Sequence, residues 1–392
     1  MNILYLAYAF PPVNIVASHR ALFLAVYMAK AGARVTVLCA RQSSKRDDDA
    51  LLDYLKDAPN LTVHWISPWG ASEQQGRPGF KPSAKGLLWV ARARRLAIKL
   101  ARQAPFDVIY STYGPEYPHF VGRLLAPRLK RPWVAEFRDP WHGGRKHPRS
   151  SDGLGVWFER RVLKPAAIMV AVSEGFRDIL QRLHGQHRQY AVVYNGFDAS
   201  AVSNARQRQT SERERQQPGV TVILVGTLYP FQHPSLAVLL QAIQAVPEAR
   251  FVYYGSSTQN VVELVQQYGV MAQANINGLV PHHEVVQRVL QADAAFLPAS
   301  TEFAGIIPVK YYDYLGSRTP VLMIGGAGTE LEGIMKQTDS GTNLHDVGSV
   351  KAWLQQMSTQ ALSYSFHGAD FYSRQSQAER LLALLRTLEA DQ

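Results

Sequence analysis

Short runs rich in β-branched and aromatic residues alternate along this chain with segments of helical period, and the alternation stops once, at residues 203–219, before starting again. NILYLAY reads as a first strand; a helix from about Val16 to Ala31 ends at Gly32, and RVTVLCA returns as a strand. FDVIYST, RPWVAEF, AAIMVAVS and YAVVYN follow as buried-strand candidates, with helical stretches such as SEGFRDILQRL between them. Strand and helix in strict alternation predict a parallel sheet covered by helices on both faces.

Residues 203–219, SNARQRQTSERERQQPG, hold almost no apolar side chains and end in Pro and Gly, the composition of a surface connection. The strand pattern then restarts with VTVILVG and continues through RFVYYGS, ANINGLV, DAAFLPAS and TPVLMIGG. SQAERLLALLRTLEA, with leucines at helical spacing, reads as a closing amphipathic helix. The expected architecture is therefore α/β, two doubly wound Rossmann-like domains facing across a cleft: 1–202, a linker at 203–219, 220–365, and a closing helix at 366–392. Such sheets bind ligands beyond the carboxyl ends of their strands. The dinucleotide signature GxGxxG is absent after either first strand, which runs into FPPVN in one half and VGTLYPF in the other, and this argues against NAD.

The 392 residues, 46% of them hydrophobic, supply two cores of ordinary size. The single cysteine, Cys39, sits in an apolar run with no partner for a disulfide, which suits a reducing compartment and makes the cytoplasm the expected location. MNILYLAYAF enters an apolar run without a basic leader or a small-residue cleavage site, so it reads as a strand and not as a signal peptide. No apolar run approaches the roughly 20 residues that cross a bilayer. The formal charge of +11 is concentrated at 81–103, where seven basic residues occur with no acid. At helical spacing Arg92, Arg95, Lys99 and Arg102 share one side and Leu88, Trp89, Leu96 and Leu100 another. That pattern serves a helix lying on an anionic membrane or one packed on a core, and both remain open. Nucleic acid is disfavoured because no nucleic-acid motif accompanies the charge.

Three segments could carry chemistry. After DAAFLPAS the chain passes TEFAGII and enters a helix at about Pro308, whose missing N–H suits a first helical position. The start of that helix offers unpaired N–H groups and a positive dipole end to a diphosphate, and Lys310 adds a full charge. Asp313, one turn on, suits sugar hydroxyls, while Tyr311, Tyr314 and Leu315 suit packing; the plain alternative is an i, i+3 ion pair between Lys310 and Asp313. In the first half, RPWVAEFRDPW places Glu136, Arg138 and Asp139 where a strand ends. Arg138 suits a phosphate and Asp139 a hydroxyl, as base or anchor, although an Arg/Asp pair pinning a loop explains them equally well. His119, with Glu116, is expected at the same mouth. Asp47, Asp48 and Asp49 lie among Ser, Lys and Arg and read as a solvated loop, and no zinc spacing, GxSxG or phosphate-binding Walker loop occurs. No metal or other cofactor is expected.

Taken in order, AYAFPP, AGARVTVL, DVIYST, RPWVAEFRDPW, FERRVLKPAAIMVAVSEGF, VVYNGFD, VILVGTL, VYYGS, INGLVPHHEV, ADAAFLP and GIIPVKYYDYLGSRTPVL resemble the GT-B-fold glycosyltransferases of family 4 over nearly the whole chain. The resemblance implies transfer from a nucleotide sugar with retention of anomeric configuration, commonly without a metal. It also implies an amino-terminal acceptor domain, a carboxy-terminal donor domain and a last helix, 366–392, that crosses back to the first domain, and members with such segments look like enzymes of bacterial surface-polysaccharide assembly. The donor residues it implies are Gly226, Thr227, Gly255, Val280, Glu302, Gly305, Ile306, Lys310 and Asp313, with Arg138, Asp139 and His119 catalytic. Asn14, Arg92, Arg95, Lys99 and Arg102 are implied for a lipid-linked or glycan acceptor, or for peripheral contact with the inner face of an anionic membrane. The chain departs from the pattern in several places. Gly305 and Asp313 occupy the positions of a glutamate pair, with Glu302 three residues early. Thr227 lies in a loop that lacks the usual bases, Asn14 and Ile15 replace a glycine pair, and Arg138 aligns with a histidine. A nucleotide-sugar epimerase of the same fold, or an inactive membrane-associated partner of a transferase, are the competing expectations.

Overall fold

A computed structural model describes residues 1–42, 47–67, 83–142, 152–209, 219–299 and 305–390. The chain forms two compact units, Met1–Asn195 with Arg374–Gln392, and Gly196–Ser373. In the first, strands β1 (Asn2–Ala7), β2 (Arg34–Ala40), β3 (Leu61–Ile66), β4 (Val108–Thr112), β5 (Trp133–Phe137), β6 (Ile168–Ala171) and β7 (Gln189–Val192) build an all-parallel sheet in the order β3-β2-β1-β4-β5-β6-β7. Helices α1 (Val16–Lys30), α2 (Asp53–Lys56), α3 (Ala84–Gln103), α4 (Tyr117–Leu129), α5 (Asp152–Leu163) and α6 (Glu174–His184) connect them.

The second unit repeats the plan. Strands β8 (Val220–Val225), β9 (Ala249–Tyr254), β10 (Ala274–Asn277), β11 (Ala294–Pro298), β12 (Val321–Ile324) and β13 (Gly341–Leu344) pair in parallel in the order β10-β9-β8-β11-β12-β13. Its helices are α7 (Ala199–Gln209), α8 (His233–Gln244), α9 (Thr258–Gln267), α10 (His282–Gln291), α11 (Val309–Ser317), α12 (Glu330–Thr338) and α13 (Val347–Ser358), and α14 (Arg374–Ala390) closes the chain against α1. The strand order reverses between β1 and β4 in one sheet and between β8 and β11 in the other. At such a switch point neighbouring loops leave in opposite directions and open a crevice beyond the strand ends.

Alternation along β1 explains why the first sheet is covered on both sides. Ile3, Tyr5 and Ala7 join α1 and the leucines Leu381, Leu382 and Leu385 of α14, while Leu4 and Leu6 join Trp89, Val121 and Trp133 on the other side. Around β8 the second core gathers Val220, Val222 and Leu224 with Leu236, Leu239 and Leu240 of α8.

Several boundaries differ from the expected ones. Residues 203–209, expected as linker, continue α7, which packs on α10 and α11 of the second unit, and Phe197 lies where a Cβ on Gly316 would sit. The first division therefore falls after Asn195 and not after 202. The crossing back begins at Arg374 and not at 366, because Ala369–Tyr372 packs on α11. Strands β3 and β13 had not been expected; both are edge strands without a fully buried run.

Helix α3 resolves the choice left open by its two faces. Trp89, Val90, Ala93 and Ala97 are buried against the core beside α4, so the apolar side is occupied by protein. Arg92, Arg95, Lys99 and Arg102 remain exposed on the opposite side, and Arg92 donates to the Ser67 carbonyl. No helix among the described residues is long and apolar enough to cross a membrane.

Candidate functional site

The switch point of the second unit is built around a bare stretch of backbone. Past the end of β8, Gly226 adopts φ +85°, a left-handed conformation that favours glycine. Its N–H donates to the Tyr254 carbonyl (2.7 Å) and its own carbonyl accepts from Tyr253 Oη (2.8 Å). A Cβ on Gly255 would collide with that same carbonyl and with the Tyr253 hydroxyl. The two loops are knitted further by Ser257. Its hydroxyl accepts from the Leu228 N–H and donates to the Leu228 carbonyl, both at 3.1 Å, and its N–H donates to Tyr253 Oη (2.8 Å). Thr227 Oγ1 pairs with Ser256 Oγ at 2.9 Å. The result is a rigid ledge with no side chain at Gly226.

Lys310 lies over this ledge. A Cβ on Gly226 would stand 3.6 Å from its Cε and 3.7 Å from its Nζ, and Nζ donates to the Thr227 carbonyl at 3.3 Å. Helix α11 is fixed by the Val225 N–H, which donates to Tyr314 Oη (3.2 Å), and by Tyr311, Tyr312 and Tyr314, all fully buried. Pro308 is the N-cap, with φ −60° and ψ 136°, so the helix starts at Val309 and Lys310 is its second residue, one position earlier than expected. The i, i+3 ion pair is not made: Lys310 meets no carboxylate among the described residues, and Asp313 is buried at 7% exposure instead of lining an open surface. Burial without a counter-charge pulls the Lys310 pKa down to about 8. An anion placed here would meet an ammonium, a helix start whose first N–H groups lack intrahelical acceptors, and no competing side chain at Gly226.

Of the remaining donor candidates, Gly305 has φ +88°, Ile306 is 46% exposed ahead of α11, and Val280 is half-buried in the loop after β10. Glu302 lies outside the described residues.

In the first unit the corresponding strand ends are closed by a residue that sequence reasoning missed. Arg20, on α1, donates Nε (3.0 Å) and Nη2 (2.6 Å) to Glu136 Oε1. It also reaches the Val193 and Tyr194 carbonyls, each at 2.8 Å, and Asn195 Oδ1 at 3.3 Å. Tyr110 Oη adds a bond to Glu136 Oε1 at 2.6 Å. Glu136 is thus a buried member of β5 and no strand-end group. Burial works against its ionised form, but the Arg20 charge and hydrogen bonds outweigh it and hold its pKa below the ordinary carboxylate value. The signal in the sequence was a lone Arg within the apolar VASHRALFLAVYMAK.

Arg138 faces back into the protein. Its Nε donates to the Tyr113 carbonyl at 2.9 Å, and a side chain on Gly114, at φ +104°, would collide with its guanidinium. Burial lowers its pKa from the ordinary guanidinium value. Asp139 beside it is exposed, and Asn14 Oδ1 lies 2.8 Å from His19 Nε2. His119 is not at the mouth: it is fully buried, 2.8 Å from Ser111 Oγ, which in turn accepts from Trp133 Nε1 at 2.7 Å. Burial first, and the Arg138 charge second, push its pKa down to about 3, so it is neutral. The structure therefore brings Gly226, Thr227, Gly255 and Lys310 together, and places Arg138 and Asp139 at the strand ends of the other unit.

Comparison with known proteins places this geometry. Residues 17–196 match the glycosyl transferase 4-like domain family. An alpha-D-kanosaminyltransferase of Streptomyces kanamyceticus is 22% identical over 277 residues, 66% of this chain and 68% of that protein. The fold aligns over the full length of both chains with a sucrose-phosphate synthase from Thermosynechococcus elongatus, at TM-score 0.67 and 14% identity. It aligns also with Anabaena HepE in complex with UDP and glucose, at TM-score 0.62 and 13% identity, over 99% of this chain and 100% of that one. Residues 17–196 thus carry a glycosyl transfer domain of the 4-like type, and the two doubly wound units share the fold of these solved glycosyltransferase structures.

Proposed function

We propose that this chain is a retaining transferase that moves a sugar from a nucleoside-diphosphate sugar to a lipid-linked or polysaccharide acceptor during assembly of a cell-surface glycan, at the cytoplasmic face of the membrane. The observation that carries the proposal is Lys310, half-buried with no carboxylate partner among the described residues, beside the backbone ledge of Gly226 and at the start of α11. When the bond between the anomeric carbon and the diphosphate oxygen breaks, negative charge collects on the departing diphosphate. Lys310 and the α11 N–H groups are already oriented toward that charge, so its stabilisation requires little reorganisation and no metal ion. Asp139 is offered to the acceptor hydroxyl, as base or anchor. Arg138, through its grip on Tyr113, sets the loops around it. The UDP and glucose held by Anabaena HepE, and the transferase name of the Streptomyces relative, support a nucleotide-sugar donor.

The experiment is a screen of nucleoside-diphosphate sugars for thermal stabilisation, followed by incubation of the best donor with polyprenyl-linked and soluble glycan acceptors. The expected result is a new glycosidic linkage with the donor's anomeric configuration. An epimer formed from donor alone would replace the proposal with an epimerase, and failure to bind any donor would replace it with an inactive partner.

A further inference from the structure

Helix α5 turns large apolar side chains to the surface, with Phe158 half-covered by its edge-on ring contacts to Phe120 and Trp141. Leu154 (75% exposed), Trp157 (61%) and Phe158 (43%) stand at i, i+3 and i+4, one continuous outer face. The buried side is Gly155, Glu159, Val162 and Leu163. A polar cluster fixes this roll: Glu159, fully buried, bonds His142 Nδ1 through Oε2 at 2.7 Å and His184 Nε2 through Oε1 at 3.0 Å. Gly155 lies against the His142 ring, where a Cβ would collide, so the helix cannot turn without breaking both bonds or that contact.

The outer face extends onto α4. Leu124 is 45% exposed, and Arg123 donates to the Arg161 carbonyl and, at 3.3 Å, to that of Val162. Around this patch Arg128, Arg160, Arg161 and Lys164 are exposed, with Arg161 5.9 Å from the centre of the Trp157 ring. The two helices carry two acids in sequence, Asp152 at the first position of α5 and the buried Glu159. Aromatic and aliphatic side chains ringed by cations, with acids nearly excluded, match the boundary between lipid headgroups and acyl chains.

We propose that the outer face of α5, with the adjoining surface of α4, docks this chain on an anionic lipid bilayer. Leu154, Trp157, Phe158 and Leu124 enter the headgroup boundary, and Arg161 and Lys164 meet lipid phosphates. This moves the membrane contact away from α3, whose apolar side is already packed. It goes beyond the proposed reaction, since docking requires neither donor nor acceptor.

The test is cosedimentation of the full chain with phosphatidylcholine vesicles, and with vesicles containing phosphatidylglycerol. Anionic vesicles are expected to bind the protein at least about tenfold more tightly than neutral ones. Leu154→Glu with Trp157→Glu should lower that binding at least tenfold, and Arg161→Glu with Lys164→Glu should abolish the preference for anionic lipid. Nucleotide-sugar binding, measured in each variant, should stay unchanged and so reports folding and the donor site separately. The proposal is overturned if the wild type ignores anionic vesicles or if the Leu154/Trp157 variant binds them as well as the wild type. A lipid-free dimer that this variant converts to monomer would also overturn it, assigning the face to a second copy.

Discussion

Arg20 and Lys310 are both drawn out of water near the strand ends of their own sheets, and the chain treats them in opposite ways. Arg20 uses all five of its N–H groups on Glu136, two backbone carbonyls and Asn195. Lys310 has one carbonyl bond, no carboxylate among the described residues, and a pKa lowered by burial to about 8. A cation whose partners are all supplied by the protein holds structure together. A cation buried without a counter-charge costs stability in the free protein, and that cost is relieved when an anion arrives.

The largest expected effect lies on the satisfied side of this comparison. Arg20→Ala leaves Glu136 buried and unpaired and should cost about 3–5 kcal/mol in denaturant unfolding. The double change Arg20→Ala with Glu136→Gln should recover part of that. An Arg20→Ala midpoint equal to wild type would mean that water reaches the site and that the pair is not a structural clamp.

Lys310→Ala should show the reverse profile. Affinity for a nucleoside-diphosphate sugar falls by about 1.5–3 kcal/mol, the worth of hydrogen bonds to a charged group, while unfolding stability holds or rises slightly. Calorimetric titration together with a denaturant curve separates the two quantities. Equal losses in both would put Lys310 in the same class as Arg20.

Gly255→Ala sharpens the donor side further. The added methyl meets the Gly226 carbonyl and the Tyr253 hydroxyl, so the ledge must shift, at about 1–3 kcal/mol of stability. Donor affinity should weaken with it, and a variant with wild-type affinity would show that the ledge is not the phosphate seat.

The effect that is smallest at neutral pH grows only in acid. His119 stays neutral in the fold down to about pH 3, whereas in the unfolded chain it takes up a proton near 6.5. The unfolded state therefore binds more protons between those values, and stability falls as pH drops through that window. His119→Gln, which can still bond Ser111, should flatten the pH dependence of the melting temperature between pH 6.5 and the acid limit. An identical slope in wild type and variant would show that His119 is not the buried neutral group described.

How much of this was legible beforehand depended on the range of the contacts involved. Strands with continuous apolar runs, such as IMVA of β6 and VLMI of β12, announced themselves, and α11 was visible through Pro308 and the tyrosines behind it. The edge strands β3 and β13 were not: LTVHWI is half-exposed along most of its length and GTNL throughout, so neither has the apolar signature. Lys310 could be found because the helix start that gives it meaning is adjacent in sequence. Arg20 could not, because its partner Glu136 is 116 residues away and its other acceptors, two backbone carbonyls and Asn195 Oδ1, lie more than 170 residues on. His119 was misplaced for the same reason. The sequence puts it beside a predicted mouth, but only folding reveals Ser111 and Trp133 enclosing it.

With its pKa drawn down to about 8 by burial, Lys310 meets a diphosphate as an ammonium at neutral pH but is mostly uncharged by pH 9. Binding a nucleotide sugar, whose diphosphate does not titrate in this range, should draw a proton onto Lys310. Calorimetry at pH 9 in buffers of different ionisation enthalpy measures that uptake directly. Close to one proton should be taken up per donor bound, affinity should decline as pH rises through about 8, and neither behaviour should appear in Lys310→Ala. Affinity independent of pH, with no proton uptake by the wild type, would contradict this role for Lys310.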